Sequence, residues 1–66
     1  MKMTVQDALS FMGLEAENVT TNALRAAYRR LSKRMHPDRG GSAEDFRRLS
    51  HCKEVLETWL RTRRVL

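Results

Sequence analysis

A chain of 66 residues has room for one domain, and a chain of this size buries only about 60% of the surface its unfolded form exposes, so a large enzyme core is excluded. Hydrophobic residues make up 41% and charged residues 32%, which places the chain on the folded side of the disorder boundary, while a single cysteine, Cys52, excludes an internal disulfide and a paired-cysteine zinc site. The formal net charge is +5, and the segment from Arg25 to Arg39 carries all of it, with Arg25, Arg29, Arg30, Lys33, Arg34 and Arg39 set against the one acid Asp38; such a field implies an acidic partner surface.

The opening stretch MKMTVQDALSFMG is interrupted by Thr4, Gln6, Asp7 and Ser10, so it lacks a signal-peptide core, and no later segment approaches a membrane span. With the lone thiol, this makes a cytoplasmic protein without a membrane partner the expectation. Thr4 followed by Asp7 has the form of a capping box. Val5, Ala8, Leu9 and Met12 then recur at helical spacing before Gly13, a suitable C-cap, which predicts a short first helix over about residues 5–12. Residues 14–20 show no periodicity, and Thr20 or Thr21 can cap the next helix.

Leu24, Ala27, Tyr28, Leu31 and Met35 share one face of this second helix, over about residues 21–35. Arg25, Arg29, Lys33 and, on the continued helix, His36 fall within about 80° of each other on another face. Pro37 disfavours the helical conformation at His36, and Gly40-Gly41 gives the backbone freedom for a reversal. Ser42 with Asp45 resembles a second capping box. A third helix over about residues 43–62 then carries Phe46, Leu49, Cys52, Leu56, Trp59 and Leu60 on one broad face. A connection of about six residues between amphipathic helices implies an antiparallel hairpin. The expected fold is therefore all-α: one domain over residues 1–66, the short first helix packed on the overhanging third, with His-Pro-Asp at the hairpin tip. Tyr28, Phe46, Trp59 and the methionines are read as core, Cys52 as packed and His51 as solvated, since adjacent helical residues point about 100° apart.

With helix, basic stripe, His-Pro-Asp and helix in that order, the chain resembles the J-domain of DnaJ-type co-chaperones. LRAAYRRLSKRMHPDRGG is similar to that family's second helix and loop, FRRLSHCKEVL to its third helix and DALSFMGL to its first, so the likeness covers about residues 7–56. It implies binding to a DnaK-type chaperone of the heat shock protein 70 family and stimulation of its ATP hydrolysis, with no chemistry performed by the domain itself. Arg25, Arg29, Arg30, Lys33, Arg34 and Arg39 would face an acidic region of the chaperone, and His36, Pro37 and Asp38 the seam between its nucleotide-binding domain and interdomain linker. Proline fixes its φ, a carboxylate can pair with an arginine, and an imidazole offers ring hydrogen bonds.

The chain departs from the family in having Ala8, Leu9 and Lys53 where aromatics are usual, in a shorter loop after Arg39, and in a third helix prolonged through Glu57–Arg61 where the family has a short fourth. His-Pro-Asp followed by basic-Gly-Gly-Ser resembles import-motor J-proteins, and basic-Gly-Gly also occurs in viral T antigens; the subfamily stays open at this point. No client-binding region is recognisable in these 66 residues, so client capture is not expected of them, and a monomer is expected. His36 and Asp38, with no other converging His, Cys or acid, make a poor metal or catalytic set, so no metal, cofactor or enzymatic activity is expected. Two other readings compete. The stripe could be a solvated face with Asp38 paired locally to Arg34 or Arg39, or the chain could be a basic helix-turn-helix module for nucleic acid. Against the latter, Ser42-Ala43-Glu44-Asp45 would put acids where phosphates must be met, and no nucleic-acid partner is expected.

Overall fold

Thr4 starts the first helix by the reciprocal device its sequence allows: its Oγ1 accepts the Asp7 N–H at 3.0 Å while the Asp7 carboxylate accepts the Thr4 N–H at 3.3 Å. In the computed structural model, which describes residues 3–64, helix α1 spans Val5–Met12, α2 Thr21–Met35 and α3 Ala43–Arg64, with a 3₁₀ turn at Pro37–Arg39 between the last two. Helix α1 closes in a Schellman arrangement: Gly13 takes the left-handed conformation at φ 71, its N–H reaches the Ser10 carbonyl, and the Leu14 N–H reaches that of Leu9 at 2.9 Å. Of the two candidate caps before α2, Thr20 serves, its hydroxyl accepting the Ala23 N–H at 3.0 Å. Ser42 caps α3, its Oγ accepting from the Glu44 and Asp45 N–H groups at 3.2 and 3.4 Å.

Helix α3 is the spine. Both α1 and α2 pack chiefly against it and touch each other much less, as expected for a 22-residue helix, about 33 Å long at 1.5 Å per residue, that outreaches its neighbours. The sealed core is Ala8, Leu9 and Met12 of α1, Val19 of the connecting loop, Leu24 and Ala27 of α2, and Leu49, Cys52 and Leu56 of α3. Ala8, fully buried, lets the α1 and α3 backbones come close, where a larger residue would hold them apart. Cys52 is packed against the Met3 sulfur at 3.2 Å, while His51 is exposed. Burial pushes the Cys52 thiol up from its usual pKa, with a small opposing pull from Arg48, so this sulfur is an inert packing group.

Trp59 and Leu60 pack against this core but are not sealed in it: α2 begins beside Leu60 and Arg61, so little chain lies over this end of α3 to cover them fully. The helix also runs two residues beyond the expected end, to Arg64. Tyr28 and Phe46 are half-buried as well, at the rim. Lys53 of α3 spans the α2–α3 seam by lying over the Tyr28 ring of α2, and pairs with Glu57 one turn on in its own helix. Its ammonium lies 5.2 Å from the centre of the Tyr28 ring and 3.3 Å from the Glu57 carboxylate.

The turn that reverses the chain depends on Gly41. A Cβ built there would overlap the carbonyl carbon and oxygen of Met35, backbone atoms that cannot swing aside. Gly41→Ala is therefore expected to cost about 1–3 kcal/mol, as overpacking does, which thermal melting would read as about 4–8 °C per kcal/mol in a domain of this size. An unchanged melting temperature would mean that the reversal is looser than this packing requires.

Candidate functional site

Helix α2 ends at Met35 because His36, before proline, is extended at φ −63 and ψ 132. Pro37 then opens the 3₁₀ turn. The turn is held by backbone bonds: the His36 carbonyl accepts from Arg39 at 2.9 Å and Gly41 at 3.0 Å, and the Pro37 carbonyl from Gly40 at 3.2 Å, with Gly40 left-handed at φ 88. These bonds satisfy groups that a broken helix would leave open. His36 caps the turn with its own ring, Nδ1 accepting the Asp38 N–H at 3.2 Å. Accepting that N–H uses the Nδ1 lone pair, so in a neutral ring the remaining nitrogen, Nε2, is the donor. The ring is braced from α3 by Phe46, edge to face at 5.4 Å and 82°.

Asp38 points outward. Its side chain is 90% exposed, and among the described residues no lysine or arginine lies within 4 Å of its carboxylate; the ring nitrogen nearest it, His36 Nδ1 at 3.7 Å, is the one that accepts the Asp38 N–H. Neither Arg34 nor Arg39 pairs with it, although the sequence allows either as a local partner. Tyr28, Ser32 and Lys33 of α2, with Phe46 and the turn, line a shallow depression of about 360 Å³. Arg25, Arg29, Arg30, Lys33, Arg34 and Arg39 are all exposed, and among the described residues none has a carboxylate within 4 Å. The helix thus brings the stripe up to the turn, with His36, Pro37 and Asp38 at its end.

Two features are missing from the sequence reading. Phe46 reads as core from its helical spacing, whereas it also fixes the His36 ring; its position ten residues beyond His36 gives no signal until the reversal is known. Arg47 and Arg48, exposed near the start of α3, join the positive field at the tip because the hairpin is antiparallel, and a charge count along α2 and the loop alone misses them. Among the described residues no three His, Cys, Asp or Glu side chains gather as a metal site, and no helix is long and apolar enough to cross a membrane.

Comparison with known proteins returns relatives that share one name, mitochondrial import inner membrane translocase subunit TIM14. The Candida glabrata protein is 34% identical over 56 residues, covering 85% of this chain and 37% of its own length. Those of Yarrowia lipolytica and Gibberella zeae are each 36% identical, again over 85% of this chain, and are covered over 38% and 53% of their lengths. This chain therefore spans about a third to a half of the relatives it matches. No solved structure gives a significant match. All seven names point to the mitochondrial inner membrane, which overturns the expected cytoplasmic placement. One thiol sealed in a core folds equally well in any compartment, so it carried no information on location. The family model for the DnaJ domain matches residues 7–64, a range that takes in all three helices and the His-Pro-Asp turn, and the chain belongs to that family.

Proposed function

We propose that this domain is a co-chaperone module that binds a chaperone of the heat shock protein 70 family and stimulates its ATP hydrolysis. The observation that carries the reading is the braced His36-Pro37-Asp38 turn, whose carboxylate has no arginine within 4 Å among the described residues and faces outward at the end of a cationic helix. Asp38 pairs with an arginine of the chaperone, and the exposed face of Arg25, Arg29, Arg30 and Lys33 steers the encounter with an acidic surface; Arg34, Arg39 and the His36 and Pro37 side chains complete the contact. The domain contributes no reacting group. The names of the relatives support a finer version, in which the chaperone served is the one that acts in protein import at the mitochondrial inner membrane.

The test is single-turnover ATP hydrolysis by such a chaperone with and without the domain. Arg29→Ala with Lys33→Ala is expected to weaken stimulation several-fold while leaving thermal stability nearly unchanged, because exposed charges add little to folding. The effect should shrink as salt shortens the Debye length below about 8 Å. Stimulation that ignores both salt and the double substitution would reduce the stripe to a solvated face. A titration with DNA or RNA at moderate salt tests the nucleic-acid alternative, which the exposed Glu44 and Asp45 in the first turn of α3 disfavour.

A further inference from the structure

Helix α3 has a second cationic end, far from the His-Pro-Asp turn. Met3 lies against Cys52 and the Ala16 carbonyl against Arg63, so α1 runs alongside α3 in the same direction, and α2 starts beside Leu60 and Arg61. Past Arg61 the loop between α1 and α2 and the first residue of α2 lie beside the helix among the described residues. Arg61 and Arg63 are exposed, Trp59 and Leu60 half-buried, and Arg25 joins them from the first turns of α2. Shallow depressions of about 170 and 290 Å³ flank Leu60. The Arg63 guanidinium lies 4.6 Å from the centre of the Trp59 ring. None of these three arginines has a carboxylate within 4 Å among the described residues.

We propose that this C-terminal end of α3 docks on a membrane leaflet rich in anionic headgroups. The proposal rests on the co-chaperone reading only for the nearness of a membrane. Cations at a helix C-terminus complement the macrodipole and Arg63 over Trp59 is a cation–π pair, but neither accounts for the convergence of Arg25 on the same end, nor for an indole that the core leaves partly exposed. Guanidinium forks match phosphate oxygens, and indole rings settle at the boundary between headgroups and acyl chains. The patch is the blunt end of a helix with only shallow hollows beside it. A protein partner of ordinary interface size would need a matching surface of about 800 Å², whereas a leaflet needs none. Docked in this way, a molecule with a longest extent of 41 Å holds its turn well beyond a Debye length of about 8 Å from the headgroups, leaving the turn and the Arg29, Arg30 and Lys33 part of the stripe free for the chaperone, with Arg25 at the boundary of the two surfaces.

Trp59 is the only tryptophan, so its emission reports the contact directly. With vesicles of phosphatidylcholine containing phosphatidylglycerol, the chain is expected to co-sediment and its emission to shift to the blue; with phosphatidylcholine alone, neither should occur. Each basic residue near an anionic surface is worth about fivefold in partitioning. Reversing two of them, Arg61→Glu with Arg63→Glu, should lower it at least tenfold even with Glu15 and Glu17 of the loop opposing the wild-type patch. Arg29→Glu with Lys33→Glu makes the same change in net charge and should leave most binding intact. Arg61→Glu alone, several-fold weaker, keeps the test valid if loss of the Arg63 contact to Ala16 loosens the fold. Absence of wild-type binding, equal loss in both double variants, or binding of an acidic peptide in place of vesicles would overturn the proposal. Stimulation of ATP hydrolysis without vesicles, retained by the Arg61/Arg63 variant, separates this outcome from that of the chaperone reading.

Discussion

Asp38→Asn is expected to eliminate measurable stimulation of ATP hydrolysis while leaving the helical signal and melting temperature where they were. The substitution keeps the size and nearly the shape of the side chain and removes its charge. At a side chain 90% exposed, with no arginine in reach among the described residues, the folded state has little to lose, well under about 1 kcal/mol. At a desolvated contact with a partner arginine, loss of the charge leaves that arginine unpaired and costs about 2–5 kcal/mol, a factor of about thirty to several thousand in affinity. The Asp38 N–H still reaches His36 Nδ1, so the turn keeps its shape. His36→Gln should act in the same direction by removing the ring that Phe46 braces. Single-turnover hydrolysis decides the matter: full stimulation by a folded Asp38→Asn domain would rule out the proposed mechanism.

Leu49→Ala should do the opposite, abolishing function by abolishing the fold. Leu49 is completely buried on the spine helix, and truncating such a leucine costs about 2–5 kcal/mol from lost transfer energy and the cavity left behind. A domain of this length has a total stability of only about 3–10 kcal/mol. A large fraction of the molecules should therefore be unfolded at physiological temperature, with a urea midpoint shifted far down and an unchanged slope. A shift equivalent to less than about 1 kcal/mol would mean that α1 and α2 close over the gap and that the core is more plastic than its burial suggests.

The three helices were legible because each begins with a hydroxyl that caps it and carries apolar residues at helical spacing, and because Gly13 and Pro37 mark two of the ends. The His-Pro-Asp turn was legible as a break with a charged rod behind it. What escaped depends on where chains meet in space. The partial exposure of Trp59 follows from how far α2 and the loop reach along α3, the bracing of His36 by Phe46 requires the reversal, and the contacts of Lys53 with Tyr28 and Glu57 are charged ones that periodicity cannot register. Location escaped for another reason: nothing in a sealed thiol or a cationic surface distinguishes one compartment from another.

Because α1 and α2 each lean on α3 and hardly on each other, the domain has a built-in order of assembly. The α2–α3 pairing closes over a short turn, while the contacts that seat α1 and its loop join residues 49 and 47 positions apart, and loop-closure entropy grows with that separation. The hairpin that displays the turn is thus expected to form early and α1 to dock late, and in the native state α1 should open on its own more readily than the hairpin does. Amide hydrogen exchange would see this as faster exchange in α1 than in the middle of α3, and uniform protection would indicate a single cooperative unit instead. A domain organised in this way can lose the grip of its first helix for a moment and still hold His36, Pro37 and Asp38 in register.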